Sequence, residues 1–180
     1  MKRSLFLAIA TIALVAAPRA NAQLGALKPI QLGIAGGAAQ PMSDLSDGAS
    51  TGYNGTLALG INLPFIPVGL RIDGAYNGFG EKAGVPGKLN VMSATGNVVW
   101  RLPSIGVSPY LIGGAGLYRT AVTGAGIPSV SDSHLGYNAG VGVNLPLTVF
   151  KAFVEARYNR VQLDNSQHME FVPVTFGIMF

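Results

Sequence analysis

Residue-by-residue alternation between large apolar side chains and small or polar ones constrains this chain more than any other feature. In the closing segment FVPVTFGIMF, Val172, Val174, Phe176, Ile178 and Phe180 are apolar, with Pro173, Thr175 and Gly177 between them. A period of two puts the five apolar residues on one face of a β-strand. The same period recurs upstream. Val68, Leu70, Ile72 and Tyr76 oppose Arg71, Asp73 and Asn77; Leu135, Tyr137, Val141, Val143 and Leu145 oppose His134, Asn138 and Asn144. Ala152, Val154, Ala156 and Tyr158 oppose Lys151, Glu155, Arg157 and Asn159.

Leu-Pro pairs punctuate the chain in INLPFIPVGL, WRLPSIGVSPY and VNLPLTVFKAF, with Pro64, Pro103 and Pro146 spaced by 39 and 43 residues. Between them lie longer Gly/Ser/Asp-rich segments at 41–50, 80–88, 121–133 and 162–167. The order predicts eight strands, at 30–39, 52–62, 68–78, 89–101, 109–119, 134–145, 149–161 and 169–180, with tight turns at one rim and polar loops at the other. A period near 40 also suits a propeller, but a blade needs four strands and each repeat here supplies two. Most segments run about 11 residues, the length that crosses a bilayer at a tilt of about 45°. Pro173 cannot donate to a ladder, and is expected to mark a bulge or the outer end of pairing on the lumen face.

Alternation alone does not say which face is inside: a soluble sandwich or lipocalin buries the apolar face, a membrane barrel exposes it to lipid. Composition favours the second. Only 11% of residues are charged, against about 25% in ordinary soluble domains. The charges that occur sit mid-strand, and the rest of the polar face is largely Gly, Ser, Thr and Asn, suited to a narrow interior. Aromatics sort toward the two rims. Tyr53, Tyr76, Tyr118, Tyr137 and Tyr158 fall near the loops, and Trp100, Tyr110, Phe150 and Phe180 near the turns. They are read as interfacial belts on the lipid face. The expected fold class is all-β, an eight-stranded antiparallel up-and-down transmembrane barrel closed by pairing 169–180 with 30–39, because lipid leaves no partner for an open sheet edge.

The first residues carry their own message. Lys2 and Arg3 precede the apolar run 5–17, and Ala20-Asn21-Ala22 fits a small-x-small cleavage pattern. This predicts a signal peptide at 1–22, an exported barrel domain at 23–180, and a location in the cell outer membrane with both termini in the periplasm. Loss of Lys2, Arg3 and Arg19 leaves 9 basic against 8 acidic residues. The basic balance is thus no argument for nucleic-acid binding. With no cysteine, no disulfide framework holds the exported chain.

The stretches Phe153–Tyr158 (FVEARY) and Tyr110–Tyr118 (YLIGGAGLY), with the terminal strand ending in Phe180, resemble the small eight-stranded outer-membrane barrels: the Ail/OmpX-like proteins and the transmembrane domain of OmpA. The resemblance covers the chain from about Pro29 onward. It implies outer-membrane lipid and lipopolysaccharide as surroundings, and a C-terminal signal on Phe176, Ile178 and Phe180 read by the barrel-assembly machinery. The loops are shorter than in the adhesive members, so a host-binding role does not carry over directly, and the surface partner stays unassigned.

Arg71, Asp73, Arg101, Glu155 and Arg157 share the lumen register, where unpaired ions cost several kcal/mol each. They are read as a plug that fixes the barrel, with a gated pore and a catalytic site as alternatives. Some barrels of this architecture modify lipid A with Ser, His and an acid at the outer rim. Ser133-His134 and His168-Met169-Glu170 lie there, but with the histidines on opposite faces. Nucleophilic catalysis needs the two groups within about 3 Å. No cofactor or transition-metal set is predicted. Asp44, Asp47, Asp132 and Asp164 suit solvated turns better than divalent-cation sites. Gly113–Gly116 precedes no helix and is no nucleotide loop. Asn54-Gly55-Thr56 matches a glycosylation acceptor but lies within a predicted strand. The functional expectation is a non-enzymatic envelope protein contributing to integrity or surface interaction, with a narrow ion or small-solute pore, or a lipid A-modifying enzyme, as alternatives.

Overall fold

The computed structural model describes residues 30–63, 66–81, 87–124, 127–147, 151–164 and 167–180. The predicted signal peptide and Phe150 lie outside the described residues. Eight strands run in sequence: β1 (Ile30–Met42), β2 (Ala49–Asn62), β3 (Val68–Glu81), β4 (Lys88–Arg101), β5 (Ser108–Gly124), β6 (Ile127–Pro146), β7 (Lys151–Gln162) and β8 (His168–Met179). One short helix, α1 (Leu45–Gly48), separates β1 from β2. Each strand pairs antiparallel with its sequence neighbour, and β1 with β8, so the sheet is a closed barrel.

Closure runs from Met42↔Glu170 to Gly33↔Met179. It extends to the final residue: Phe180 N donates to Leu32 O at 2.9 Å, and Leu32 N to Phe180 O at 3.0 Å. The closing strand therefore has no open edge, as lipid demands.

Polarity is reversed relative to a soluble sandwich. Val141, Val154 and Phe176 are exposed at 57%, 43% and 58%, whereas Arg71 and Glu155 are 6% and 3% exposed. An interior filled by side chains is what eight strands allow.

One polar segment, 121–133, is largely strand rather than loop, contrary to the sequence expectation. Within 121–133, Ala121 pairs with Ser131 and Val122 with Val130, so β5 and β6 continue as a hairpin beyond the other strands. Similarly, β1 runs on to Met42 and β3 to Glu81. Ser, Thr and Asp there register solvent, not the end of pairing. Pro173 also departs from expectation. It faces the lumen, but pairing continues past it on both sides: β1 stays in register throughout, and β7 resumes at Asn159↔Phe171 without a shift. It leaves a gap in one ladder, because it lacks the N–H, and makes no bulge.

Candidate functional site

The lumen has three tiers. The middle tier is ionic. Arg71 and Asp73 come from β3, Glu155 and Arg157 from β7, and these strands stand opposite one another across an eight-membered ring. Arg71 Nη2 donates to both Glu155 oxygens, at 2.8 and 2.7 Å, so this pair spans the barrel. Arg71 Nε donates to Asp73 Oδ2 at 3.1 Å and lies 3.0 Å from Oδ1. Arg157 closes the square: Nη1 meets Asp73 Oδ2 at 2.9 Å, Nε donates to Glu155 Oε1 at 3.0 Å, and Nη2 pairs with the same oxygen. Two guanidiniums thus balance two carboxylates, and all four residues are buried.

Neutral groups complete the coordination. Tyr110 OH donates to Glu155 Oε2 at 2.8 Å, and Asn97 Nδ2 to Asp73 Oδ2 at 2.9 Å. Asn138 Nδ2 donates to Asn97 Oδ1 at 2.9 Å, and Tyr118 OH to Asn159 Oδ1 at 2.9 Å. The Arg71 guanidinium also lies 5.9 Å from the Phe153 ring centroid. Buried charge is tolerated when it is paired and hydrogen-bonded; within this network Asp73 Oδ1 and Asn138 Oδ1 alone among its described side-chain oxygens lack a hydrogen bond, Asp73 Oδ1 lying 3.0 Å from Arg71 Nε.

The tier toward the loops is apolar. Phe79, Val91, Tyr118, Val161, Met169 and Phe171 pack together inside the barrel, with Leu45 of α1, Leu89 and Leu163 against them. Phe79 and Phe171 meet edge-on, with centroids 5.5 Å apart at 78°. This stopper was missed from sequence. Its signal was Phe79, Met169 and Phe171 standing out of phase with the apolar faces of their strands.

The tier toward the turns is a cavity of about 110 Å³ whose lining includes Gln31, Asn62, Arg101, Ser108, Asn144 and Lys151. Arg101 belongs here and not to the ionic square, correcting the five-residue cluster read from sequence. It donates to Asn62 Oδ1, near the turn rim. Lumen parity was legible for Arg101; height along the barrel was not.

Of the aromatics assigned to outer belts, Tyr53, Tyr76, Tyr137 and Trp100 are exposed and Tyr158 is half-buried, all on the outward register. The Tyr53 and Tyr76 rings lie 5.9 Å apart. Tyr110 and Tyr118 are corrections: both are inside, 2% and 0% exposed. Each covers a glycine on β6. Tyr110 leaves no room for a Cβ at Gly142, and a Cβ at Gly136 would stand 2.8 Å from the Tyr118 ring. Phe176 and Phe180 face outward and exposed, with Ile178 half-buried beside them.

His134 is half-buried on the lumen register and sits across from Tyr118, while His168 is exposed on the other face, across from Gln162. Among the described residues, no three His, Asp or Glu side chains converge as a metal site.

A closed antiparallel barrel with an apolar exterior and compensated ions inside defines a transmembrane barrel of the outer-membrane class. The family model described as "Outer membrane protein beta-barrel domain" matches residues 5–180, and the chain belongs to that family. Among solved structures, Neisserial surface protein A is similar at 15% identity and TM-score 0.72, covering 84% of this chain and 96% of that one. Ail, the attachment invasion locus protein of Yersinia pestis, is similar at 25% identity and TM-score 0.56, covering 83% and 98%. A major outer membrane protein of Thermus thermophilus is similar at 12% identity and TM-score 0.55, covering 84% and 98%. The comparison with curated proteins found no match.

Proposed function

We propose that this outer-membrane barrel is a non-enzymatic envelope protein, contributing to surface integrity and contact rather than conducting solutes. One observation carries the reading: the lumen is crossed from β3 to β7 by the Arg71–Glu155 pair and is stoppered above it by the Phe79–Phe171 tier. A polar solute meets two barriers of opposite character, and passing both means breaking buried ion pairs worth several kcal/mol. The cavity below the apolar tier, bordered by Asn54, Asn77, Arg157 and Phe171, is about 30 Å³, room for little more than a water molecule.

Residues 1–22 act as the export signal, the turn rim faces the periplasm, and Phe176, Ile178 and Phe180 form the signal for barrel assembly. Trp100, Phe180 and the outward tyrosines anchor the barrel at the two interfaces with lipid and lipopolysaccharide. Ail, whose name denotes attachment and invasion and which has been solved with the heparin analogue sucrose octasulfate, supports a surface-contact role for the loop rim.

Reconstitution into liposomes tests the proposal. The folded protein is expected to give no ion or dye leakage above empty liposomes. Stepwise single-channel conductance would establish the pore reading in its place.

A further inference from the structure

Charge is distributed unevenly along the barrel axis. The chain has 8 acidic residues. Asp73 and Glu155 are consumed in the ionic square, and Asp44, Asp47, Glu81, Asp132, Asp164 and Glu170 all belong to the loop end. No acidic side chain stands at the turn end, yet Arg101 and Lys151 both line the cavity there. Arg101 extends from β4 and Lys151 from β7, three strands apart around the wall. Both are half-buried, and neither forms an ion pair with a described group.

Two like charges lining one small cavity disfavour each other's charged form, and an anion between them relieves this. Arg101 spends one donor on Asn62 and retains others of its five. Asn62, Ser108 and Asn144 contribute polar atoms to the same wall, and Val99, Phe153 and Met179 provide apolar surface beside them. A guanidinium fork beside an ammonium point charge matches a tetrahedral oxyanion better than a halide. The volume of about 110 Å³ suits an ion the size of inorganic phosphate.

We infer that the turn-side vestibule is a binding site for a small phosphate-class oxyanion, held between Arg101 and Lys151. The site does not depend on whether the lumen conducts, because Arg101 and Lys151 line it from the turn end whichever reading of the lumen holds.

The test uses the protein folded into zwitterionic micelles and titrated with inorganic phosphate at constant ionic strength, chloride making up the balance. Amide chemical shifts of Gly69, Ser108 and Asn144 are the readout. The expected result is a saturable change confined to the turn end, weakened at least tenfold in R101Q/K151Q and retained in K88Q at the opposite rim. Heat-dependent gel migration verifies that each variant is folded, and K151Q alone serves if the double variant is not. No saturable change in the unaltered protein, or equal affinity in a folded variant lacking these charges, overturns the proposal.

Discussion

Replacing Glu155 with glutamine removes one negative charge from the square and leaves Arg71 and Arg157 sharing Asp73. Glu155 accepts bonds from Arg71 Nη2 at 2.7 and 2.8 Å, Arg157 Nε at 3.0 Å and Tyr110 OH at 2.8 Å. The amide oxygen of the substituted side chain can keep some of these, but its NH₂ points donors at donors. Breaking a buried pair by deleting one partner costs about 3–5 kcal/mol. With a urea dependence of about 2 kcal/mol per molar, the unfolding midpoint should fall by roughly 2 M. The assay is urea unfolding in lipid vesicles, followed by fluorescence of the single tryptophan, Trp100, and by gel migration.

A second variant separates charge imbalance from lost packing. Arg71→Met combined with Glu155→Gln leaves Arg157 against Asp73, one to one, at their 2.9 Å contact. It should be less destabilised than Glu155→Gln alone, by at least about 1 kcal/mol, because contacting residues in one network couple by about 0.5–3 kcal/mol. If Glu155→Gln shifts the midpoint by less than the experimental error, or if the double variant loses the sum of both single losses, the square is not a mutually compensated unit.

Three further outcomes are expected. Gly37→Val should prevent formation of the heat-modifiable barrel, since a Cβ there meets the Val174 carbonyl oxygen and stands 2.8 Å from Thr175 Cα, backbone that cannot retreat without opening the β1–β8 seam; normal gel migration would show that the seam is looser than described. Phe171→Ala should cost about 3–5 kcal/mol by leaving a cavity beside Phe79, read as a urea midpoint; liposomes carrying it should still not leak, because the ionic tier remains, and leakage would assign the seal to the apolar tier alone. Val141→Arg, placing a charge on the lipid face, should cost about 2–4 kcal/mol in the same vesicles, and a neutral result would remove Val141 from the hydrocarbon zone.

Parity was legible wherever charge broke the symmetry of a strand. Arg71 and Asp73 settled the faces of β3, and Glu155 and Arg157 those of β7. β5 offered only a misleading handle: its one charge, Arg119, is exposed near the loop rim on the outward parity of Leu111 and Leu117, while Tyr110, Ile112 and Tyr118 lie inside. The choice is made across strands, where the tyrosines cover Gly142 and Gly136 and reach Glu155 and Asn159, and a single strand read alone does not contain it. Height along the barrel was equally hidden. Alternation places Arg101 and Arg157 on one face, but the stagger between strands decides that one joins Asn62 and the other joins Asp73. The polar residues of the β5–β6 hairpin carry turn composition, yet Thr120↔Asp132 and Ala121↔Ser131 continue the ladder.

Depth-resolved accessibility along β7 tests the reversed polarity most directly. Spin labels placed singly at Val154 and Ala156, and at the intervening Glu155, would be compared for collision with lipid-soluble oxygen and with a water-soluble nickel chelate. Labels at 154 and 156 are predicted to favour oxygen strongly, and the label at 155 to be shielded from it. Strong chelate access at 154 and 156, with 155 no more protected than its neighbours, would contradict an exterior that faces lipid.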